Sequence, residues 1–364
     1  MSAAERPVGP VELHRLRVPL RTPYRLSFGT LHELDLFLAR AWLGEDSGVG
    51  ESAPLAVYST ETAEGVWSAL RESARAIIGR PVREALELLE HSRERRPFAT
   101  APVMTALETA LDPPVPSEDL EVALLGTILS HDEDRSPEEV EELLGAGYRT
   151  LKVKVGFGAD ADARWVARVQ ELVGGRARIR VDANQGYSFE AAREFVGRVD
   201  PEGIEVFEQP FEPGEWDAMA RLAALSPLPL MLDESIATAA DLERLIELRC
   251  ADTVKFKLAK AGGLAALERL IARARAAGLE VVLGNGVAGD VGNLHELVVA
   301  ARAIDTAGEM NGFLKPSTRL LTNPFEVVDG SARLARGYVP DVDWERVAAH
   351  TVDRLEVAPA GASI

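Results

Sequence analysis

Five charged side chains recur through the middle of the sequence at nearly constant spacing. They are Lys154, Asp182, Glu208, Asp233 and Lys257, separated by steps of 28, 26, 25 and 24 residues. Each one lies within or directly after a short apolar run. Three carboxylates brought together would raise one another's pKa values unless a positive charge lay among them. The set therefore predicts a cation site with a lysine on either flank.

The predicted cation is a hard divalent metal ion. Asp182, Glu208 and Asp233 offer only oxygen ligands, and no histidine or cysteine recurs with them. Oxygen ligands in small number, with places left for water and substrate, favour Mg²⁺ and also admit Mn²⁺. Asn184 follows Asp182 by two residues on the same strand face, so we expect it to support the metal ligands or the substrate.

The lysines are expected to move protons. Lys154 and Lys257 would flank the metal from opposite sides, where a proton can be taken from either face of a carbon beside the ion. A lysine acts as a base only when neutral, so its pKa has to fall from about 10.4 to roughly 7 or 8. Lys152 shares a strand face with Lys154, and its charge is predicted to lower the pKa of Lys154. Lys255 stands in the same relation to Lys257 and could bind an acidic group of the substrate.

These residues are carried by alternating strands and helices. From about residue 120 onward, short apolar runs alternate with amphipathic segments of ten to sixteen residues. Strands are predicted at 122–129, 150–156, 178–184, 203–210, 228–235, 252–258 and 280–286, with an eighth at 308–314. This alternation, at a spacing near 25 residues, predicts a parallel sheet closed into a (β/α) barrel. The active site of such a barrel is built at the carboxyl ends of its strands.

The rest of the chain divides around this barrel. Residues 1–118 contain long strand patterns followed by helical ones, which is typical of an α+β domain. The stretch TALDPPVPSEDLE is rich in proline and acid and is the natural linker to the barrel, predicted to span 119–325. Residues 326–364 change pattern again, and their last strand, DRLEVAP, is expected to return to the first domain.

Composition limits the setting and the partners. The 364 residues include 58 acidic and 40 basic side chains, for a formal net charge of -18. An excess of negative charge argues against nucleic acid as a partner. No stretch approaches the roughly 20 apolar residues of a membrane span, so no membrane partner is expected. One cysteine, Cys250, cannot form an internal disulfide, which favours a cytoplasmic location.

The motifs LKVKVG, RVDANQGYS, FEQPF, LDES and KLAKAGG together resemble those of the enolase superfamily. The similarity is to the subgroup with muconate lactonizing enzyme, o-succinylbenzoate synthase and dipeptide epimerases, and it extends over essentially the whole chain. It implies an N-terminal α+β capping domain, completed by C-terminal residues, on a modified TIM barrel of (β/α)₇β type. It also implies Asp182, Glu208 and Asp233 as Mg²⁺ ligands, Lys154 and Lys257 as the acid/base pair, and a homo-oligomer.

The resemblance implies an enzyme that acts on a small-molecule carboxylate. It would abstract the proton α to the carboxylate through a metal-stabilised enediolate. Return of a proton makes the enzyme an isomerase, either a racemase or epimerase or a cycloisomerase. Expulsion of a β-group would make it a lyase, as in a dehydratase or o-succinylbenzoate synthase. More distant alternatives are a Schiff-base enzyme with Lys154 as nucleophile and a non-catalytic small-molecule-binding barrel.

Substrate recognition is expected at the loops around the barrel mouth. Dipeptide epimerases place an Asp-x-Asp pair after the eighth strand, whereas this chain has Glu309 and Asn311. The GNGVAG loop at 284–289 matches a dinucleotide fingerprint, but it follows the seventh strand of a series, so an anion pocket or tight-turn glycines are favoured over a nucleotide. The candidate substrate contacts are Asn184, Lys255, Asn285, Asn311, Tyr24 and Arg25.

Overall fold

The first part of the chain forms an antiparallel sheet covered by three helices. The structure is a computed structural model that describes residues 3–26, 29–55, 59–130 and 135–359. After a 3₁₀ turn at Ala3–Glu5, its elements are β1 (Val11–Leu26), β2 (Gly29–Leu43), β3 (Asp46–Ser52), α1 (Ala63–Ile77), α2 (Val82–Arg93) and α3 (Pro97–Leu111). Helix α3 is buried on nearly all sides because it packs against β2 and β3 and also contacts the barrel. These elements share their own apolar core and form the capping domain.

The middle of the chain forms a seven-stranded parallel sheet, as predicted for a barrel. Its strands are preceded by β4 (Leu120–Ala123) and are β5 (Gly126–Ile128), β6 (Thr150–Lys154), β7 (Arg178–Asp182), β8 (Ile204–Glu208), β9 (Leu230–Leu232), β10 (Thr253–Phe256) and β11 (Glu280–Leu283). The helices that alternate with them are α4 (Ser136–Gly145), α5 (Ala159–Val173), α6 (Phe189–Arg198), α7 (Trp216–Ala223), α8 (Ala239–Leu248), α9 (Leu258–Ala261), α10 (Leu264–Ala276) and α11 (Asp290–Ala303). The strands pair in chain order from β5 to β11.

The segment predicted as the eighth strand closes this sheet into a barrel. The amide of Glu309 donates to Leu283 at the end of β11, at 2.9 Å. On the other side, Gly308 exchanges hydrogen bonds with Ala123 and Leu125, beside the first barrel strand. The prediction of one strand over 122–129 was wrong, because the chain is interrupted after Ala123 and forms two short strands, β4 and β5. Among the described residues, no helix combines the length and apolarity needed to cross a membrane.

The C-terminal segment serves both domains. Its elements, after a 3₁₀ turn at Gly312–Leu314, are β12 (Glu326–Val328), β13 (Ser331–Leu334), α12 (Trp344–His350) and β14 (Thr351–Val357). Strands β12 and β13 form a small antiparallel sheet with β4, at the side of the barrel. Strand β14 reaches the capping domain, where it pairs antiparallel with β1 from Val11–Val357 to Leu16–Thr351. The predicted completion of the cap by C-terminal residues is confirmed.

Two acidic residues of the cap bind the amino ends of barrel helices. Glu51 on β3 accepts a hydrogen bond of 2.6 Å from the Gly289 amide, at the start of α11. Glu108 on α3 accepts from the amides of Leu264 and Ala265, the first residues of α10, at 2.7 and 3.0 Å. The amides at a helix amino end have no hydrogen-bond partner within the helix, so a carboxyl oxygen can accept from them. These two contacts hold the cap over the barrel.

The contact made by Glu51 predicts a pH-dependent stability. Burial, and then the nearby charge of Asp290, raise the pKa of Glu51 to about 8. The folded protein therefore binds this proton more tightly than the unfolded chain, and the free energy of unfolding falls as pH rises between about 4.5 and 8. Glu51→Gln removes this titration. From pH 5 to pH 6.5 we expect the wild type to lose about 2 kcal/mol relative to E51Q in urea unfolding.

The matched control is Glu45→Gln, which changes an exposed carboxyl in the turn between β2 and β3. E45Q should follow the wild-type pH dependence. Parallel pH profiles for the wild type and E51Q would contradict the prediction.

Candidate active site

The carboxyl ends of the barrel strands bring the charged residues together. Strands β6, β7 and β8 end at Lys154, Asp182 and Glu208, and the strand register places these three residues side by side. Asp233 directly follows β9, and Lys257 directly follows β10. Side chains alternate along a strand, so residues two apart share a face, here the inside of the barrel. All three acidic side chains are buried.

Lys154 and Lys257 lie at opposite ends of the row of acids. The Nζ atom of Lys154 is 2.6 Å from Oδ2 of Asp182, the first acid of the row. The Nζ atom of Lys257 is 2.6 Å from both carboxylate oxygens of Asp233, the last one. The side chain of Lys154 is 28% exposed and that of Lys257 is 4% exposed. The two amines thus contact the first and the last acid of one row of strand ends.

Lys152 is a counter-ion in this structure and not an uncompensated charge beside Lys154. Its Nζ atom lies 2.7 Å from Asp182, 3.0 Å from Glu208 and 2.9 Å from Glu309. Burial alone would lower the pKa of Lys152, but the charges of these three acids outweigh burial and raise it well above its usual value. The predicted effect of Lys152 on Lys154 stays a prediction, with Lys152 paired to three acids.

Lys255 also lies among the acids. Its Nζ atom is 2.9 Å from Oε1 of Glu208 and 3.3 Å from Oδ2 of Asp233, and it also contacts Oε2 of Glu309. Burial would lower the pKa of Lys255, and the charges of Glu208 and Glu309 raise it well above its usual value. The ammonium group predicted to bind the substrate is therefore held by the protein's own carboxylates.

Glu309 also belongs to the site, although the sequence patterns predict no role for it. It follows Gly308 in the segment that closes the barrel, and it contacts both Lys152 and Lys255. Burial would raise the pKa of Glu309, but Lys152, Lys255 and Lys154 hold it well below its usual value. The sequence position of Glu309 is the signal that could have placed it in the site. It lies in the eighth predicted strand, 308–314, and the carboxyl end of that strand is expected at the same barrel mouth.

Nearby lysines also lower the pKa values of Asp182 and Asp233. Burial would raise the pKa of Asp182, but the charges of Lys152, Lys154 and Lys255 lower it to about 2. For Asp233, the charges of Lys257, Lys255 and Lys260 overcome burial and hold the pKa well below its usual range. Both groups are thus carboxylates at neutral pH.

A tight turn after β7 places Asn184 beside this group. The backbone of Asn184 has φ +40°, and its amide donates to Oδ1 of Asp182 at 2.8 Å. The Asn184 side chain contacts Lys154 with its oxygen and donates to Glu234 at 3.0 Å. Gly156, with φ +99°, packs so closely on this turn that a β-carbon would lie 2.6 Å from the Ala183 carbonyl oxygen. Only glycine allows this approach, which holds the ends of β6 and β7 together.

Gln209 orients the Asp233 end of the row. It is fully buried, and its side-chain oxygen accepts hydrogen bonds from the amides of Asp233 and Ser235 at 3.0 and 3.1 Å. Its side-chain nitrogen donates to the Ser235 hydroxyl and the Phe211 carbonyl, both at 2.7 Å. Gln209 therefore fixes the loop that carries Asp233.

The remaining substrate candidates are less closely tied to the charged group. The side-chain oxygen of Asn285 accepts from the Val287 amide at 3.1 Å, within its own loop. The side-chain nitrogen of Asn311 donates to the Leu125 carbonyl at 3.4 Å, and its oxygen has no hydrogen-bond partner among the described residues. Tyr24 and Arg25 belong to β1, and their side chains lie outside the described part of the chain.

The glycines of the GNGVAG loop allow close packing. A β-carbon on Gly284 would lie 2.6 Å from the β-carbon of Glu309. None of the three glycines of this loop adopts a positive φ. The loop therefore needs glycine at 284 so that Glu309 can reach the site.

All lysines of the chain lie at this mouth. The sequence has six, although lysine and arginine together number 40. Besides the four already described, Lys260 donates to the Asp233 carbonyl at 2.9 Å, and Lys315 donates to the Gly286 carbonyl. Burial lowers the pKa of Lys260 and that of Lys315 to about 8. Outside the site, every lysine or arginine position is an arginine. Lysine, whose amine is compact and can lose its proton, occurs only at the site.

The three acids are suitable ligands for a divalent cation, although lysine side chains contact them in the structure. Asp182, Glu208 and Asp233 are buried oxygen donors at adjacent strand ends, the ligand type that Mg²⁺ and Mn²⁺ prefer. Oε2 of Glu208 is buried without a hydrogen-bond partner among the described residues, although Lys152 lies 3.0 Å away in an ion pair. In the part of the chain that the structure describes, no three acidic, histidine or cysteine side chains are arranged as they stand to hold one ion. The ligand type therefore fits a divalent metal ion, and lysine side chains lie between the acids.

Comparison with known proteins gives consistent results. A family model described as "Enolase C-terminal domain-like" matches residues 135–341, more than half of the chain. The chain is 28% identical to the N-succinyl-L-Arg/Lys racemase of Bacillus cereus, over 84% of this chain and 87% of that protein. It is 30% identical to the L-Lys-D/L-Arg epimerase of Methylococcus capsulatus, over 76% and 82%. The structure of muconate lactonizing enzyme from Pseudomonas fluorescens, complexed with muconolactone, superposes with a TM-score of 0.83 at 26% identity, covering 95% of this chain and 100% of that one.

Proposed function

Because the chain belongs to the enolase C-terminal domain-like family, among enzymes of the mandelate racemase and muconate lactonizing type, we propose that it is a Mg²⁺-dependent racemase or epimerase of a small carboxylic acid. The observation that carries this proposal is the placement of Lys154 and Lys257 at the two ends of one row of buried carboxylates. A reaction that removes a proton from one face of a carbon and returns one to the other face needs two such groups.

The chain's own residues supply the proton transfers. With the substrate α-carbon between the two amines, one lysine in its neutral form takes the α-proton, and the other, as an ammonium group, gives a proton to the opposite face. For the reverse stereochemical direction the two lysines exchange roles. Asn184 contacts Lys154 and holds it in place, and Gln209 holds the Asp233 loop against which Lys257 rests.

Asp182, Glu208 and Asp233 would hold the metal ion, with Mn²⁺ as an alternative to Mg²⁺. When bound, the ion would supply positive charge that binds the substrate carboxylate and offsets the negative charge that develops as the α-proton leaves. The buried position of the three acids supports this assignment, because charge interactions are stronger where water is excluded.

The ion pairs of Glu309 indicate which class of substrate the site favours. Glu309 is paired with Lys152 and Lys255, so it is not available to bind a free amino group of the substrate. We therefore favour carboxylates whose α-nitrogen is acylated or absent over free amino acids and dipeptides. Relatives act, by their names, on N-succinyl-Arg/Lys and on chloromuconate. Cycloisomerisation is the second candidate, and the superposition with muconate lactonizing enzyme favours it.

Metal removal tests the proposed chemistry. We expect the protein with Mg²⁺ to exchange the α-proton of an N-acyl amino acid or of a muconolactone in deuterated water. EDTA should abolish the exchange, and added Mg²⁺ or Mn²⁺ should restore it, because the three carboxylates are themselves negative and without the ion would repel the negative charge that develops. Proton NMR of a panel of N-succinyl amino acids, dipeptides and muconolactones measures exchange whatever product follows.

Two results would contradict the proposal. Exchange that survives EDTA, together with trapping of substrate on Lys154 by borohydride, would indicate a Schiff-base enzyme. If the acids of the panel bind with metal present but none of them exchanges its α-proton, the result would indicate a binding protein.

A further inference from the structure

Lys255 fills the gap between two of the proposed metal ligands. Its side chain is buried, with 3% of its surface exposed, and its Nζ atom lies 2.9 Å from Oε1 of Glu208 and 3.3 Å from Oδ2 of Asp233. A divalent cation bound by both acids would have to lie about 2.0–2.6 Å from these same oxygens. An ammonium group and a metal ion cannot share that gap, because the charges repel and the atoms would collide.

Lysine side chains already surround the proposed ligands. Four carboxylates, those of Asp182, Glu208, Asp233 and Glu309, are contacted by five lysines. The five are Lys152, Lys154, Lys255, Lys257 and Lys260. A divalent ion added to this set brings two further positive charges. One of the existing ammonium groups has to move before the acids can take the ion.

Lys255 is the group that can move with the least disturbance. Lys152 contacts the proposed ligands Asp182 and Glu208 at 2.7 and 3.0 Å, whereas Lys255 contacts Glu208 and Asp233 at the longer distances of 2.9 and 3.3 Å. Both lysines also contact Oε2 of Glu309, which is not among the proposed metal ligands and can keep Lys255 when it leaves the gap. The flexible stem of lysine allows such a shift, whereas the rigid fork of arginine would not.

We propose that Lys255 is a tethered cation that takes the place of the metal ion between Glu208 and Asp233 and withdraws toward Glu309 when the ion binds. This inference rests on the proposed function, in which those acids are metal ligands. Two consequences follow. Lys255 keeps the acids together in the metal-free protein, and it weakens binding of the metal, because the ion has to displace it.

The test is the affinity for Mn²⁺ alone, measured at one fixed pH. Free Mn²⁺ is counted by electron paramagnetic resonance in titrations of the wild type, Lys255→Met and Lys255→Gln. We expect both variants to bind Mn²⁺ at least about tenfold more tightly, because a competing unit charge is removed from contact with the ligands. The matched control is Lys260→Met, which removes another buried lysine beside Asp233. The Nζ atom of Lys260 donates to the backbone carbonyl and lies farther from the carboxylate, 3.6 Å from Oδ1. K260M should tighten binding less than K255M.

The outcomes separate the two proposals. A wild type that binds Mn²⁺, with K255M and K255Q binding it equally or more weakly, overturns the role of Lys255 and leaves the metal site intact. Failure of all the proteins to bind Mn²⁺ overturns both the inference and the metal part of the proposed function.

A second measurement needs no variant. The chain has only six lysines, so lysine labelled with ¹³C at the ε-carbon gives few signals, and all of them come from the site. Titration of the labelled wild type with Mg²⁺ should shift lysine signals along the same curve as metal binding. If no lysine signal moves when Mg²⁺ saturates the protein, Lys255 does not withdraw and the inference fails.

Discussion

Replacing Lys154 by methionine is expected to abolish racemisation and to spare proton exchange of only one enantiomer, and replacing Lys257 is expected to spare only the other. Each change should lower the rate of the affected exchange by about 10²- to 10⁴-fold, the usual contribution of one acid or base group. The reason is geometric. Lys154 contacts Asp182 at one end of the acidic row and Lys257 contacts Asp233 at the other, so each amine reaches one face of a carbon held between them.

The measurement is α-proton exchange in deuterated water, followed by NMR for each pure enantiomer of a substrate found in the panel. The double variant K154M/K257M should exchange neither enantiomer and shows the background rate. Loss of exchange for the same enantiomer in both single variants would contradict the two-sided arrangement, since it would place both lysines on one face of the carbon.

Replacing Asp233 by asparagine is expected to lower the free energy of unfolding by about 3–5 kcal/mol, the usual result of removing one partner from a buried ion pair. Asp233 is buried, and three ammonium groups depend on it. Lys257 lies 2.6 Å, Lys255 3.3 Å and Lys260 3.6 Å from its carboxylate oxygens. A neutral amide cannot compensate these charges, so the fold is destabilised even if the loop keeps its shape.

Urea unfolding in the presence of EDTA measures this effect without a contribution from bound metal. The matched control is Asp305→Asn, which breaks the ion pair with Arg275 where the side chain of Asp305 is 93% exposed. An exposed pair contributes at most about 1 kcal/mol. If D233N and D305N destabilise the protein equally, the carboxylate of Asp233 does not hold the lysines as the structure indicates.

Much of the site could be predicted because the barrel repeats one local plan. Each strand and helix unit uses about the same number of residues, so equal spacing of Lys154, Asp182, Glu208, Asp233 and Lys257 indicates equal positions on successive strands. Alternation of side chains in a strand then puts Lys152 on the face of Lys154, and Lys255 on that of Lys257. These inferences need only local geometry.

The acid partners of Lys152 and Lys255 could not be predicted in the same way. Spacing predicts both as positive charges that act on a neighbour or on a substrate, and in the structure both contact acids from other strands. The prediction of a single strand over 122–129 was wrong for a related reason, which is pairing with a distant segment. Residues 120–123 pair with β13, which lies more than 200 residues further along the chain.

Sequence patterns indicate the order of strands and helices, the face on which each charged residue lies, and the family motifs. Which charges meet depends on the folded chain. Glu309 reaches Lys152, 157 residues earlier in the chain, because the eighth segment closes the barrel beside the first strand. Local propensity and spacing carry no information about such a partner, since contacts between distant segments depend on how the whole sheet closes.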